Sequence, residues 1–488
     1  MRDWLAVRAD ATPGATALAV ADGPDRSYDE LDERVEVLAG RLAALGVGVG
    51  DTVAVCLETR HEFVVVVHAL QRLGAVLVPL HTEQTPPELR TRLSAVPPEA
   101  AVCGAATEAA LTDAAETTVV TVDEPTADAR PLSGVTPEPF DLPEWALDEP
   151  LAVLFTSGTT GEPKGVVLTL GNVLASATAS AFRLGVQRGD CWHVPLPMYH
   201  MGGLAPVYRS VLYGTALSVQ STFDAEATAE RLRNVEATAV SLVPTMLERL
   251  IAVGDLPDLR FALVGGAPCP ASLVERAHDR GVPVAPTYGM TEAASQIATA
   301  APSMARAHPH SVGYPLMFAE VTVVNDEGVG CEPGTVGDIV VDGPMVTPGY
   351  LDDETTAARF TARGLRTGDR GYRDDDGRLH VVGRSDDTIV TGGENVDPTE
   401  VEAALRAHSA VDACAVVGLA DDEWGQRVAA LVVSDGDDTT PDALREHCRE
   451  RLAGYKLPRT IGVVDALPRT ASGTVDRDAA RDRLSECQ

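Results

Sequence analysis

The sequence is almost devoid of lysine. Lys164 and Lys456 are the only two among 488 residues, and every other basic side chain is an arginine. Positive charge as a whole is scarce, with 39 Lys and Arg against 72 Asp and Glu and a formal net charge of -33. Such a surface repels phosphate polyanions, so nucleic acid and anionic membrane surfaces are excluded as partners. Aromatic residues make up only 4%. The eight cysteines are scattered and never form Cys-x-x-Cys, which excludes a dithiol redox motif and a cysteine-rich zinc cluster. Long apolar runs are missing too. Stretches such as Phe63–Val67 fall far short of the roughly 20 residues of a membrane span. Met1-Arg-Asp-Trp-Leu5 offers no signal-peptide core, so a cytoplasmic location is expected. Acid excess with lysine depletion fits a cytoplasm of very high salt, where screening tames the repulsion between carboxylates. GC-rich codon drift in an ordinary acidic protein would leave a similar trace.

Hydrophobic residues supply 45% of the chain, enough for a sizeable core, and the length predicts more than one domain. Ser27 and Glu30 have capping-box spacing ahead of Leu31, Val35, Leu38, Leu42 and Leu45, and Gly46 follows as a stop. Val53–Leu57 reads as a strand, His61–Leu73 as a helix ended by Gly74, and Ala75–Pro79 as a second strand. Strand, helix, strand implies a parallel crossover and α/β architecture. Residues 122–149, rich in Pro, Asp, Glu and Thr, read as a long surface connection. Leu151–Phe155, Ala239–Val243 and Phe261–Val264 read as strands and Thr245–Val253 as a helix. Beyond Val321 the texture becomes β-rich, with strands at Val321–Val324, Val336–Val341 and Leu379–Val382. The last hundred residues alternate again: helices at Pro398–His408 and Pro441–Leu452, strands at Ala413–Gly418 and Val428–Val433. Residues 384–387 separate a large N-terminal domain, 1–383, from a small one, 388–488.

The densest chemical signal is Thr156-Ser-Gly-Thr-Thr-Gly-Glu-Pro-Lys-Gly165, directly after a strand. Backbone N–H groups, hydroxyls and one ammonium in such a loop suit a polyphosphate. It is not a Walker A loop, because Pro163 precedes Lys164 and Gly165 follows it. A flexible surface loop would share the composition, but a lysine kept in a nearly lysine-free chain favours an anion site.

This segment resembles the phosphate-binding signature of the adenylate-forming superfamily, to which acyl-CoA synthetases belong. Tyr288-Gly-Met-Thr-Glu292, Arg366-Thr-Gly-Asp369, Gly383-Arg-Ser-Asp-Asp387 and Gly392-Gly-Glu-Asn-Val-Asp-Pro-Thr-Glu400 resemble its other motifs, in the same order. The resemblance implies an α/β fold: parallel α/β subdomains and a β-rich subdomain, then a small, mobile α+β C-terminal domain. It implies ATP and Mg²⁺ as cofactors and CoA as co-substrate. Thr156, Ser157, Gly158, Thr159, Thr160, Gly161 and Lys164 would hold the phosphates. Gly266, Tyr288 and Gly289 would line the nucleotide site, and Thr291 would meet the α-phosphate. Glu292 would bind Mg²⁺, Asp369 the ribose with Arg384 nearby, and Gly392 and Gly393 CoA. Asp386 matches the hinge. In isolation Glu292 reads equally as a helix-cap acid and Asp369 as a turn residue.

Pro195-Leu-Pro-Met-Tyr-His200-Met-Gly-Gly203 resembles the acyl-pocket segment, which places His200 and the glycines Gly265 and Gly289 against the acid. Arg209 lies at the spacing where the superfamily's o-succinylbenzoate–CoA ligases carry a basic residue for the aromatic carboxylate. An arginine on an exposed helix face is the alternative. Tyr288–Thr299, Ser311–Pro315 and Glu450–Lys456 also resemble that branch, whose product leads to menaquinone. Another aromatic or fatty acid–CoA ligase is the competing expectation. The implied partners are a small carboxylic acid, ATP and CoA, without membrane insertion; a homo-oligomer is compatible with the sequence.

One motif departs from the pattern. The family's closing Pro-Arg-Thr-x-Ser-Gly-Lys reads Pro468-Arg-Thr-Ala-Ser-Gly-Thr474, so the lysine that serves adenylation is absent. Adenylation is then slow, or another cation such as Lys456 or Arg477 serves, or the first half-reaction is lost and an adenylate-binding protein remains. Lys456 is the expected stand-in, being one of only two lysines.

Overall fold

The computed structural model describes residues 3–21, 23–156, 164–254, 256–384, 389–391, 394–421, 424–434, 440–452, 454–470 and 473–486. Contacts divide the chain into two units. The first comprises 1–322 with 340–365 and 376–379, the second 323–339, 366–375 and 380–488.

Two large sheets build the first unit. One has nine strands, with a parallel centre running from Val284–Met290 through Phe261–Val264, Ala239–Leu242, Cys191–Val194 and Ala216–Val219 to Thr16–Leu18. Antiparallel strands close both of its ends, Ser295–Thr299 at one and Arg26–Ser27 at the other. The second sheet has eight strands, in which Pro150–Thr156, Val76–Pro79, Thr52–Cys56, Ala100–Cys103 and Thr118–Thr121 run parallel. Lys164–Thr169 and Gly349–Tyr350 add an antiparallel edge. The parallel strands are buried along most of their length, as expected when helices cover both faces.

Local signals are obeyed closely. Ser27 and Glu30 form the expected reciprocal cap, and the helix spans Tyr28–Ala43. His61–Leu73 is helical as read, and Gly74 ends it with φ +75, a conformation that favours glycine. The stretch 122–149 differs from expectation. Ala129, Leu132, Val135 and Trp145 are buried, and the Trp145 indole donates to the Gln71 carbonyl at 2.9 Å. A few apolar anchors spaced without period dock this otherwise polar segment.

In the second unit, Val411–Asp421 and Gly425–Ser434 form a long antiparallel pair with Thr460–Val463 alongside in parallel. Apolar side chains on either face of this sheet meet Pro398–Arg406 and Pro441–Arg449 on one side and Arg477–Glu486 on the other.

Candidate active site

Ligands in parallel α/β sheets bind beyond the carboxyl ends of the strands. Three such ends in the nine-stranded sheet carry expected residues. Cys191–Val194 leads to His200, Phe261–Val264 leads to Gly265 and Gly266, and Val284–Met290 carries Tyr288 and Gly289 and runs into Thr291 and Glu292.

Gly289 has no room for a side chain. A Cβ there would lie 1.7 Å from the Ser295 carbonyl oxygen, because the strand folds straight back onto Ser295–Thr299. Between these strands the turn Thr291–Ala293 holds Glu292, and the chain leaves it through two non-glycine residues with positive φ, Ala294 at +49 and Ser295 at +110. Such backbone costs about 1–3 kcal/mol per residue and persists where surroundings fix it.

Glu292 is buried, and its Oε1 accepts a hydrogen bond from the Tyr350 hydroxyl at 2.8 Å. Tyr350 pairs across the sheet with Val166, on the strand that begins at Lys164. Thr347 strengthens the junction: its N–H donates to the Glu292 carbonyl at 2.7 Å, and its hydroxyl donates to the Val167 carbonyl. The Gly349–Tyr350 segment thus fastens the glutamate turn to the lysine strand. Glu292 offers a hard oxygen donor on a fixed carboxylate, which fits Mg²⁺. Thr156 and Lys164 are cross-strand partners at the mouth of the glycine-rich loop. The expected phosphate ligands Ser157, Gly158, Thr159, Thr160 and Gly161 lie outside the described residues.

His200 caps the N-terminal end of the helix Met201–Tyr213. Its side chain reaches solvent, with the rings of His81 and Tyr199 beside it. Desolvation, with His81 close by, pushes its pKa down to about 4, so the imidazole is neutral at pH 7. Tyr199 and His81 complete an aromatic trio, with ring centres 4.8 Å and 6.4 Å from His200. The Glu83 N–H donates to His81 Nδ1 at 3.0 Å, so neutral His81 keeps its proton on Nε2, 3.2 Å from the Tyr199 hydroxyl oxygen. His81 sits just past Val76–Pro79 in the other sheet, and nothing in its sequence neighbourhood points to Tyr199.

Arg209, one turn before the end of that helix, is buried with 2% exposure rather than lying on an open face. Burial lowers its pKa from the ordinary value, and the guanidinium stays charged. Its Nη2 donates to Ser176 Oγ at 3.2 Å. Among the described residues, no carboxylate lies within ion-pair range of it. A buried charge without a counter-charge is costly, and an anionic ligand is the natural remedy.

In the second unit, Asp369 on Gly364–Arg373 and Arg384 at the end of Leu379–Arg384 come together, with Nη1 3.5 Å from Oδ1. The hinge candidate Asp386 and the CoA candidates Gly392 and Gly393 lie outside the described residues. Lys456 is held by both oxygens of Glu400, at 2.7 and 2.6 Å, which raises its pKa. Arg477 is paired with Glu402 at 2.9 Å. Both expected substitutes for the missing lysine are therefore engaged by glutamates. Thr474 is exposed, and its hydroxyl meets that of Thr470 at 2.7 Å across a tight turn.

The AMP-binding enzyme family model matches residues 5–351, and the AMP-binding enzyme C-terminal domain model matches 400–474. The chain is 37% identical to a 2-succinylbenzoate–CoA ligase of Bacillus cereus, over 100% of this chain and 99% of that one. It is 41% identical to the ligase of the same description from Geobacillus kaustophilus, covering 97% and 96% of the two chains. Among solved structures, it resembles the Bacillus subtilis o-succinylbenzoate CoA synthetase in complex with its acyl-adenylate (TM-score 0.91, 34% identity, 99% and 98% coverage). It also resembles ATP-bound MatB from Rhodopseudomonas palustris (TM-score 0.92, 30% identity, full coverage of both chains).

Proposed function

The chain belongs to the AMP-binding enzyme family, and from that premise we propose that it is a 2-succinylbenzoate–CoA ligase of menaquinone biosynthesis. The observation that carries this reading is Arg209, a buried guanidinium with no carboxylate beside it among the described residues. A monocarboxylic acid presents its one carboxylate to ATP and leaves Arg209 unpaired. 2-Succinylbenzoate has a second carboxylate, on the ring, to fill that place.

A carboxylate is a poor acyl donor because its oxygen leaves badly. Attack of the succinyl carboxylate on the α-phosphorus of ATP expels pyrophosphate and gives an acyl-adenylate. The CoA thiol then attacks the acyl carbon, and AMP departs with the electron pair. Charge accumulates on the phosphates in the first step, which calls for fixed cationic and hydrogen-bonding groups. Mg²⁺, when bound, neutralises phosphate charge. Glu292 would hold it, in the orientation set by Tyr350. Lys164, with Thr156–Gly161, would hold the β- and γ-phosphates, and Thr291 the α-phosphate. Gly266, Tyr288 and Gly289 would border the nucleotide, while Asp369 with Arg384 would bind the ribose. His200 and Gly265 would line the acid site, where a neutral imidazole avoids competing with Arg209 for the anion. Gly392 and Gly393 would meet CoA. The division into 1–383 and 388–488 with Asp386 as hinge, the use of Lys456 in adenylation and a cytoplasmic, salt-adapted life belong to the same proposal.

The test is pyrophosphate release with ATP, Mg²⁺ and CoA, comparing 2-succinylbenzoate, benzoate and a medium-chain fatty acid at low and molar KCl. Strong selectivity for 2-succinylbenzoate is expected, with higher activity in molar salt. Activity with another acid alone overturns the substrate. Silence with all three while AMP still binds favours the degenerate reading that Thr474 raises. Indifference to salt removes the halophilic element.

A further inference from the structure

Ser176 stands between two parts of the site that the sequence keeps far apart. It lies on the helix Leu170–Leu184 and is buried, with 1% exposure. Its hydroxyl oxygen accepts from Arg209 Nη2 at 3.2 Å and donates its proton to the Ala294 carbonyl oxygen at 2.7 Å. Ala294 is the first of the two positive-φ residues that follow Glu292, and its own N–H closes the turn onto the Thr291 carbonyl at 2.9 Å. Gly289 packs on the same turn through Ser295.

The helix bearing Ser176 is itself anchored. Thr169 and Asn172 cap it reciprocally, and Asn172 Nδ2 donates to the carbonyls of Pro344 and Val346 at 2.9 and 2.8 Å. Those residues lead into Thr347 and Tyr350, which both hydrogen-bond to Glu292. The hydroxyl is therefore a fixed point, and its hydrogen bond to Ala294 is one of the contacts that hold a strained turn in place.

Pairing of a carboxylate with Arg209 fixes the guanidinium whose N–H Ser176 accepts, and with it the position of the hydroxyl that holds the turn. We propose that Ser176 is a positioning residue that couples occupancy of Arg209 by the substrate's second carboxylate to the Thr291–Ser295 turn, so that MgATP is used best when a dicarboxylate is bound. The inference rests on the reading of Arg209 given above. It adds that selectivity for the dicarboxylate is expressed partly at the nucleotide.

The test compares 2-succinylbenzoate with 3-benzoylpropionate, the same acid without the ring carboxylate. In the natural enzyme, the KM for MgATP is expected to be at least threefold lower with the dicarboxylate. In Ser176→Ala that ratio is expected to collapse to one. The kcat/KM for 2-succinylbenzoate should fall tenfold or more, and that for 3-benzoylpropionate several-fold less, by the share that the loosened turn costs either acid. Ser176→Cys, close in size and a weaker donor, should be intermediate, and it carries the test if the alanine variant does not fold. Equal losses with both acids, or an unchanged MgATP ratio in either variant, overturn the relay while leaving Arg209 as an anion site. If the natural enzyme shows no preference between the two acids, the assignment of Arg209 fails first and the relay falls with it.

Discussion

Replacing Arg209 by methionine should move stability and activity in opposite directions. In the unliganded protein the guanidinium is buried, its pKa is lowered by desolvation, and Ser176 is the hydrogen-bond partner seen for it. Methionine keeps much of the side-chain length and removes the charge. The loss is one hydrogen bond to Ser176, about 1 kcal/mol, because Ser176 still donates to Ala294. The gain is relief from an unpaired buried charge, which is of comparable or larger size. The unfolding midpoint of Arg209→Met should therefore match or exceed that of the natural protein. With 2-succinylbenzoate bound the balance inverts. Removing one partner of a buried, hydrogen-bonded charge pair costs about 2–5 kcal/mol, and at about 1.4 kcal/mol per tenfold this is a loss of about 30-fold to several thousand-fold in kcat/KM. With 3-benzoylpropionate no pair is lost, and activity should be unchanged or raised. Thermal unfolding and steady-state pyrophosphate release with both acids suffice. A lower midpoint together with equal losses for both acids would refute the reasoning and make Arg209 a structural cation.

Acid should destabilise the fold below the ordinary histidine pKa. Burial pushes His193 down to about 4, and the fully buried His68 is lowered as well. The unfolded chain takes up these protons as pH falls through about 6.5 and the folded chain does not, so stability present above that pH is lost progressively toward pH 4. Urea midpoints at pH 7.5, 6 and 5 should decline in that order, and His193→Gln should flatten the slope. Thr474→Lys should speed pyrophosphate release more than thioester formation from a supplied acyl-adenylate, since only the first step lacks a cation; equal changes in both would count against this. Lys456→Ala should slow pyrophosphate release at least tenfold if the ammonium leaves Glu400 to serve adenylation. Unchanged release would confine Lys456 to its ion pair with Glu400.

Much of the scaffold was legible because local causes dominate it. Ser27 with Glu30, the period of Leu31 to Leu42 and the stop at Gly74 act over a few residues, and the helices they predict are found. The ordered motifs point to Glu292, and the spacing from His200 points to Arg209. Their partners were hidden. Tyr350 meets Glu292 from 58 positions away, Ser176 meets Ala294 across 118, and His81 meets Tyr199 across 118. A tyrosine ending a two-residue strand or a serine in an alanine-rich helix carries no periodic signal, and only the sheet order brings each to its partner. The positive φ of Ala294 and Ser295 was equally invisible, since neither is the glycine that would advertise it. Polar composition misled the reading of 122–149, where isolated Trp145 and Leu132 do the anchoring.

The pairing of Thr156 with Lys164 gives the phosphate segment two stretches that are each sensitive to change of length. Residues inserted or removed between these two positions would change the span that carries the expected phosphate ligands. A single insertion between Lys164 and Thr169 would instead reverse the alternation of that strand. It would either turn the lysine to the opposite face of the sheet or flip the buried Val166 and Leu168 and uncouple the strand from Tyr350. Relatives that keep the activity should therefore keep the length of both stretches.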